Sequence, residues 1–552
     1  MDEPALFKRP AISLASCAPG WSATVVTEQA RMKGWRFLLL NVAAGAANVV
    51  MLSNVPGYTV LAPYAAGSLE GVTPSYGTWA TTDHMVGIAL GLPLSRWLSG
   101  RLGDYRVLIG ALVAYAAVSL MCAASETIWF FAPMRFLLGL MGGVALPLAQ
   151  SVTLGQYRDD QRTLGVGFWG VMSMAPFTIG VFMGGFWAEY FNWRWLFYSN
   201  VMVALPAAAV IWALFYRRDV QRRMTRFDTI GFILLATVLV GVQTILNMGN
   251  DFDWFASPVL AWLLLVVLLA LPMFIFWEFG ERRPALDLRL FLHRNFAIAT
   301  FCSLIGFLII QGLLSVFIVQ LQVLLGYTSS LAGMVYLAMI FLAMAAAAVV
   351  HEITRNVDAR LIVFLNFIGL AVTFVWLGHY DKSASFDSIT TPMFFFGFSL
   401  AMFFAPLATL AMTGLAGERL IRAAEELAML RTVFGAMGIT LLGVLFFRRT
   451  PFHQLDLADH FGGRRFASLD LLASFLERMQ AMGMSPNAAR SRAAQLIRQQ
   501  AGILALNDAF LFGAMTFILL AGIIWLASPS YASKKRSQTL TRLTAEELME
   551  QP

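Results

Sequence analysis

Long apolar runs constrain the fold of this 552-residue chain more than any other feature of its sequence. About 20 consecutive apolar residues cross the hydrocarbon core of a bilayer as a helix, and in lipid a helix satisfies its own backbone groups. Hydrophobic residues make up 59% of the chain, against roughly 45–50% in soluble domains. We therefore predict an all-α integral membrane protein with fourteen transmembrane helices. The predicted spans are 35–62, 76–98, 106–123, 127–149, 165–188, 195–215, 228–247, 256–276, 296–322, 330–350, 360–378, 391–413, 425–446 and 508–527.

Lysine and arginine are concentrated in alternate connections between these runs, and the opposite short connections hold only Arg194 and Lys382. Positively charged loops stay in the cytoplasm, whereas a long segment such as 447–507 translocates regardless of charge, so we expect both termini to be cytoplasmic. The net charge of +7 is then explained by the basic residues of the cytoplasmic loops, and nucleic acid is not an expected partner. The basic connections contain Arg101 and Arg106; Arg158 and Arg162; Arg217, Arg218, Arg222, Arg223 and Arg226; Arg282, Arg283, Arg289 and Arg294; Arg355 and Arg360; Arg419 and Arg422; and Lys534, Lys535 and Arg536.

An R-x-x-D-x-R spacing occurs once in each half of the chain, after span two and after span ten. The two copies are Arg101, Asp104 and Arg106, with Gly103 between them, and Arg355, Asp358 and Arg360. Matching positions in two halves are expected of repeat-built transporters, and we expect both copies to gate the cytoplasmic face and to stabilise the outward-facing state. The predicted domains are a cytoplasmic tail 1–34, an N-terminal six-helix bundle 35–215, two inserted transmembrane helices with flanking loops 216–295, a C-terminal six-helix bundle 296–527 that includes the external helical loop 447–507, and a cytoplasmic tail 528–552.

Span five combines small residues with a proline. Gly180 and Gly184 lie four residues apart and share a helix face where a partner helix can approach closely. Pro176 offers no N–H and should kink the helix. We expect this span, with Gly185, to act as a hinge or seal between the bundles, and we assign Gly139 of span four the same packing role. The alternative is that Gly and Pro are simply commoner in transmembrane helices.

A polar layer is predicted inside the first bundle. Asn54, Asp83 and Arg135 each lie about eight residues from the external end of their span, which is on the order of 12 Å of depth. Charges at such depth usually face a cavity or a partner. We expect the layer to contribute to the substrate cavity, together with Gln311 of span nine. The alternative is an Asp83–Arg135 ion pair that only locks the bundle.

Other polar residues receive weaker roles. His84 adjoins Asp83 but points about 100° away on a helix, so we expect a packing histidine. Glu425 and Glu426 begin span thirteen and should form a solvated helix start. An acidic residue inside a membrane protein can bind and release a transported proton. Asp83 with Arg135 is the first candidate for this proton coupling, and Asp508, at the start of span fourteen, is the next.

The segment 447–507 is the one sizeable external structure predicted. Apolar residues recur at near-helical spacing over 469–482 and 493–506, and Pro486 separates the two runs. A helical hairpin is therefore expected. Its role is either to meet a partner or to close the external face.

Short segments distributed along the chain carry a resemblance to a known family. They are Thr73 to Trp79, Arg101 to Arg106, Arg135 to Gly139, the span-five glycines with Asn192 to Phe197, Asp253 to Phe255, Arg294 to Phe296, Gly326 to Thr328, and Asn507 to Phe510. In these segments the chain resembles the major facilitator superfamily, and within it the fourteen-helix drug:proton antiporters of the EmrB/QacA type. The resemblance covers nearly the whole chain and implies a proton-coupled multidrug efflux antiporter of the bacterial inner membrane, with a periplasmic adaptor protein at loop 447–507 and a role in antibiotic resistance. Where that family commonly has an acidic residue late in span one, this chain has Asn54.

Asn54 cannot titrate, which leaves Asp83 as the acidic residue deep in an N-terminal span. A nearby arginine keeps a carboxylate ionised, and burial away from it favours the protonated form. Alternation of Asp83 between these surroundings would bind and release one proton per cycle.

Other classes are less consistent with the residues. No Gly-Lys pair occurs in the sequence, which excludes a Walker A loop. The six histidines and three cysteines lack metal-ligand spacing, so neither an enzyme nor a cofactor is predicted. The leading hypothesis is a secondary exporter of amphipathic small molecules. The alternatives are a dedicated exporter of one metabolite or siderophore, and a non-transporting membrane scaffold or receptor.

Overall fold

The structure is a computed structural model that describes residues 32–70, 74–158, 161–216, 227–281, 284–381, 384–461 and 469–529. Several predictions lie outside the described residues. They concern the terminal tails through residue 31 and from residue 530, the basic residues at 217–226, 282–283, 382, 464–465 and 534–536, and the side chains of Arg162 and Arg355.

Six long helices form the first part of the chain, and they pack on one another. Gly103 has φ 92°, a left-handed value that lets the chain reverse between two of these helices within one residue. Arg194 joins the start of the sixth helix to the end of the third, because its Nε donates to the carbonyl oxygen of Ala123 at 2.8 Å. The helices are α1 (Trp35–Ser68), α2 (Pro74–Leu102), α3 (Asp104–Ala123), α4 (Ile128–Leu154), α5 (Arg162–Tyr190) and α6 (Trp195–Phe215).

Two further helices, α7 (Thr229–Gly249) and α8 (Pro258–Gly280), pack on each other as a hairpin. Asp228 caps α7, accepting a hydrogen bond from the backbone N–H of Gly231 at 2.9 Å. The hairpin also packs against the rest of the protein, because α7 contacts α2 and the long helix that begins at Glu418.

The remaining helices form the second part of the chain. They are α9 (Arg294–Val323), α10 (Ser329–Leu337), α11 (Met339–Asn356), α12 (Ala359–Leu377), α13 (Phe386–Ala411), α14 (Glu418–Phe461), α15 (Leu469–Ala481) and α16 (Pro486–Ile523). We call α1–α6 the N-terminal half and α9–α16 the C-terminal half. The end of the molecule that carries Arg101 and Arg360 is the arginine-rich end, and the other is the opposite end. The division into five domains stays a prediction.

Thirteen helical segments in the described ranges are long and apolar enough to cross a membrane, and α10 with α11 counts as one of them. The difference from the predicted fourteen is α2, which carries Asp83, His84, Arg96 and Arg101 and falls short in hydropathy. This helix packs along α4, α14 and α1, so protein buries His84 and partly covers Asp83 and Arg96, whereas Arg101 at the end of the helix is exposed. The predicted all-α integral membrane fold is confirmed.

The helices of the segment 447–507 differ from the prediction. The expected Pro486 break is correct, since Pro486 is the first residue of α16, and α15 is the first arm of the expected hairpin. The second arm and the last span are one helix, however, and α14 continues to Phe461 instead of ending near 446. Polar helical turns that extend beyond the lipid lack an apolar signal, and for this reason hydropathy placed the end of α14 too early and the start of α16 too late.

Glycines bring α2 and α4 into backbone contact. A Cβ atom added to Gly139 would meet the carbonyl oxygen of His84, and one added to Gly143 would meet that of Ile88. Gly87 on α2 lies equally close to the backbone of α4. The predicted packing role of Gly139 agrees with this geometry, which fixes α2 and α4 as one unit.

Candidate functional site

Arg135 of α4 is fully buried in the N-terminal half. Its Nε donates to the carbonyl oxygen of Ala80 at 3.1 Å, its Nη1 to Asn54 Oδ1 at 3.2 Å, and its Nη2 to the carbonyl oxygen of Asn54 at 3.2 Å. The guanidinium carbon lies 4.5 Å from the ring centroid of Tyr58. Oxygen dipoles and an aromatic face therefore stabilise this buried cation and tie α4 to α1 and α2.

Asn54 of α1 is the centre of a buried network. Its Nδ2 donates to Tyr115 Oη at 2.7 Å and to Asn200 Oδ1 at 2.9 Å. Asn200 Nδ2 in turn donates to Ser119 Oγ at 3.2 Å. Asn54 has no exposed surface and faces the interior of the N-terminal half. The predicted layer thus joins Asn54 to Arg135, and a role for Asn54 in the substrate cavity stays a prediction.

Asp83 of α2 is partly exposed and has a different neighbour, Asn247 of α7. Asn247 Nδ2 lies 3.5 Å from Asp83 Oδ1, and the Oδ1 of Asn247 accepts from Gln243 Nε2 at 2.9 Å and from Thr440 Oγ1 at 3.0 Å. Thr82 Oγ1 donates to the same oxygen at 3.1 Å. The carboxylate therefore sits where the inserted helix α7 meets α2 of the first half and α14 of the second.

Sequence reasoning missed this α7 contribution. Gln243 and Asn247 are four residues apart in an apolar span, so they share a helix face, and paired polar residues in a span usually face protein. That spacing was the available signal. The spacing could not identify Thr440 as the residue that these side chains contact, because Thr440 is almost two hundred residues away in the sequence.

The alternative of a locking ion pair does not match the described bonds. Within the described ranges, Arg135 bonds to Asn54 and Ala80, and the hydrogen bond seen for Asp83 is with Asn247. His84 is fully buried, with Nδ1 3.1 Å from the carbonyl oxygen of Arg135, as expected of a packing histidine. Gln311 is buried on α9, beside a close approach of Gly312 to the backbone of α14.

The two copies of the R-x-x-D-x-R spacing lie at turns of the arginine-rich end. Asp104 begins α3, and Arg101 and Arg106 are exposed beside it. In the second copy, Asp358 caps α12 and accepts from Arg360 Nη2 at 3.0 Å. Their expected role in gating stays a prediction.

Arg360 also reaches a second element of the C-terminal half. Its Nη1 donates to the carbonyl oxygen of Ala527 at 3.1 Å, and its guanidinium carbon lies 5.3 Å from the ring of Trp525. The start of α12 is thereby fixed to the short segment that follows α16. Asp358 holds the guanidinium in place for both contacts.

The prediction that Glu425 and Glu426 form a solvated helix start is wrong. Glu425 Oε2 lies 2.7 Å from Arg96 Nη1 of α2, which joins the two halves. Glu426 is buried and accepts a hydrogen bond from the backbone N–H of Asp287 at 2.5 Å. The segment before α9 docks on α14 and covers these side chains, a tertiary contact that the local sequence cannot reveal.

The α5 glycines face other helices rather than lipid. A Cβ on Gly180 would lie 2.9 Å from Ser53 Cα, and one on Gly184 would meet the carbonyl oxygen of Gly57, both on α1. Gly185 meets the carbonyl oxygen of Ser329 on α10 in the same way. Pro176 lies within the continuous helix α5. Helix α5 is therefore packed between α1 and the C-terminal half, and its role as a hinge or seal stays a prediction.

Asp508 lies in α16 near the opposite end, in a cluster with two residues of α14. Its Oδ2 accepts from Arg449 Nε at 2.8 Å and lies 2.8 Å from His453 Nε2. This cluster joins α14 to α16 within one half. A part for Asp508 in proton coupling stays a prediction.

A second arginine in the membrane region, Arg431 of α14, was not singled out as a site from the sequence. Its guanidinium carbon lies 4.6 Å from the ring centroid of Phe404 on α13 and 5.8 Å from that of Phe307 on α9. The side chain is partly exposed. Its signal in the sequence was an isolated basic residue well inside a predicted span.

Comparisons with known proteins agree with this architecture. The chain is 28% identical over 502 residues to the fatty acid resistance protein FarB of Neisseria gonorrhoeae, covering 91% of this chain and 98% of FarB. It is 26% identical over 507 residues to the multidrug export protein EmrB of Escherichia coli strain K12, covering 92% and 98%. The structure of the POT family transporter PepTSo has a similar fold, with a TM-score of 0.56 at 15% identity over 90% of this chain and 100% of that chain.

These relatives confirm the resemblance to EmrB-type proteins. A family model described as Major Facilitator Superfamily matches residues 37–439, well over half of the chain. The chain is thus a multi-pass membrane transporter rather than an enzyme, and it belongs to the Major Facilitator Superfamily.

Proposed function

We propose that this protein is a secondary active transporter that exports amphipathic small molecules, such as drugs or toxic compounds, in exchange for protons by alternating access. The names of its relatives, a multidrug export protein and a fatty acid resistance protein, support export of amphipathic compounds. The observation that carries the coupling proposal is the position of Asp83, a partly exposed carboxylate at the junction of α2, α7 and α14.

Asp83 binds and releases the coupled proton. A carboxylate in a membrane is costly when charged and unpaired, and its described neighbour is the neutral amide of Asn247. Arg135 is held by Asn54 and Ala80. Movement of α2 against α7 or α14 changes the polarity around Asp83, and this change couples protonation to the conformational cycle.

Alternating access is supported by hydrogen bonds between the halves at both ends of the molecule. At the opposite end, Ser329 Oγ donates to the carbonyl oxygen of Gly185 at 3.1 Å, and the N–H of Ser330 donates to Glu189 Oε2 at 3.0 Å. At the arginine-rich end, Arg96 and Glu425 form an ion pair. A few hydrogen bonds or one ion pair can break at one end of the molecule while the contacts at the other end remain, as a rocking transporter requires.

The arginine-rich end is cytoplasmic, by the distribution of basic residues. Helix α15 and the start of α16 then lie on the external side, where exposed Met482 and Met484 adjoin the turn between them. This external helical pair is the docking surface for a periplasmic adaptor protein. Loss of binding to a co-expressed adaptor after deletion of 469–484 would support the assignment, and unchanged binding would contradict it.

Efflux from loaded vesicles tests the function. Purified protein in liposomes with an acidic interior should accumulate a permanently charged amphipath and release protons, and a protonophore, which collapses the pH gradient, should abolish the accumulation. A permanent charge prevents the compound from following the pH gradient without a carrier. Accumulation equal to that of protein-free liposomes for every amphipath tested would favour a scaffold or receptor instead.

A further inference from the structure

Arg431 faces the boundary between the two halves. It lies one helical turn before Gly435, so the two residues share a face of α14. A Cβ on Gly435 would lie 2.6 Å from the ring of Phe307 on α9 and 2.9 Å from Met85 Cε on α2. The face that carries Arg431 is therefore turned towards α9 of its own half and α2 of the other.

Aromatic rings continue from Arg431 across this boundary. The ring centroid of Phe404 lies 5.8 Å from that of Phe307 and 6.4 Å from that of Phe177 on α5. Phe177 and Phe404 are both partly exposed. Arg431, Phe307, Phe404 and Phe177 form what we call the Arg431 site, an aromatic surface shared by both halves with one guanidinium at its edge.

The described residues give Arg431 no ion pair. The two acidic residues nearest to it along α14 have other contacts, Glu425 with Arg96 and Glu426 with the backbone of Asp287. Arg135 differs, because hydrogen bonds to oxygen occupy all of its nitrogen atoms. The described contacts of Arg431 are aromatic faces, which stabilise a cation without using its N–H groups.

We propose that the Arg431 site binds the oxyanion head group of an amphipathic anion, such as a carboxylate or sulfonate, with the apolar tail against Phe404 and Phe177. The planar guanidinium matches an oxyanion with two parallel hydrogen bonds, and the rings supply apolar surface for the tail. The inference rests on the proposed export function and specifies its substrate class. It assigns substrate binding to α14 and leaves the proton to Asp83, so that the two do not compete for one group.

Decanesulfonate and decyltrimethylammonium are suitable probes, because their tails are equal and their head groups carry permanent charges of opposite sign. Binding is measured by calorimetry on protein in lipid nanodiscs, and transport in the liposomes described above. Wild-type protein should bind and transport decanesulfonate. Arg431→Gln should weaken its binding by roughly 10- to 100-fold, as expected for hydrogen bonds to a charged group, and Arg431→Lys should retain part of it.

Two controls separate binding from damage to the fold. Arg448→Gln removes an exposed arginine from the same helix and should bind decanesulfonate like the parent. Binding of decyltrimethylammonium should be equal in the parent and in Arg431→Gln. Equal loss of both probes in Arg431→Gln and in Arg431→Lys would show a structural role and overturn the proposal.

The outcome also distinguishes this inference from the proposed function. Transport of decyltrimethylammonium but not decanesulfonate by the parent would overturn the anion site and leave proton-driven export intact. Arg431-dependent binding of decanesulfonate without transport of either probe would support the site and contradict the export function.

Discussion

Arg96 of α2 and Glu425 of α14 form an ion pair between the two halves of the protein, with Nη1 2.7 Å from Oε2. Both residues lie about seven positions from the arginine-rich end of their helices, and Glu425 is the more buried of the two. In a rocking mechanism, a bond at this place must form and break in every cycle. Its strength therefore affects the balance between the two states.

The first prediction concerns that balance. Arg96→Gln should open the arginine-rich end, and since the pair is partly exposed the shift should be about 1 kcal/mol or less, roughly fivefold in population. Distances between spin labels on α2 and α14 should lengthen. The exchanged pair Arg96→Glu with Glu425→Arg should restore the parent distances. No change in Arg96→Gln would show that the ion pair does not hold this end closed.

A second prediction concerns α5 and α1. Gly184→Leu should impair transport, because the new side chain would meet the backbone of Gly57 and would start 2.8 Å from Val60 Cγ1. Overpacking of this kind costs about 1–3 kcal/mol. Gly110→Leu is a matched control, because Gly110 lies in a membrane helix with open space around it. Both variants should insert normally, and full transport by Gly184→Leu would contradict a tight seal.

The third prediction concerns the turn before α12. Asp358→Asn keeps a side chain that can cap the helix but removes the ion pair with Arg360, whereas Asp358→Ala removes both. We expect Asp358→Asn to shift the population towards the inward-facing state, and Asp358→Ala to lower stability by about 1 kcal/mol more. Thermal unfolding and spin-label distances measure the two effects. If Asp358→Asn and Asp104→Asn both keep the parent distances, these turns do not gate the protein.

The existence of the helices could be predicted from the sequence, but their rotation and partners could not. Apolar length gave nearly every membrane helix, and α2 was recognised although its polar residues lower its hydropathy. Depth along a span correctly placed Asn54 beside Arg135. It could not show that Asp83 turns towards Asn247, because the rotation of a helix about its axis depends on neighbours from distant parts of the chain.

Burial by tertiary contact was equally hidden. Glu426 looks like a solvated residue at a helix start, yet the backbone of Asp287 covers it. Arg431 looks like an interruption of an apolar span. The aromatic rings that its guanidinium contacts belong to Phe307 and Phe404, which lie on two different helices. Such assignments need the packed structure.

The fourth prediction concerns Arg135. Arg135→Ala should cripple turnover and destabilise the protein, because the three hydrogen bonds by which the guanidinium joins α4 to α1 and α2 would be lost. A hydrogen bond that involves a charged group contributes about 1.5–3 kcal/mol. Arg106→Ala, at an exposed arginine, should leave thermal stability unchanged. Equal melting temperatures of the two variants would contradict a structural role for Arg135.

We propose that Asp83 binds the coupled proton, and the final prediction concerns this role. Its most direct test is proton release during amphipath uptake by acid-loaded liposomes containing Asp83→Asn, compared with the parent and with Asp508→Asn. This role predicts that Asp83→Asn keeps at least part of its substrate binding but neither accumulates substrate nor releases protons, while Asp508→Asn does both. Uptake and proton release at the parent rate by Asp83→Asn would contradict it, and their loss in Asp508→Asn would move the coupling site to the cluster with Arg449 and His453.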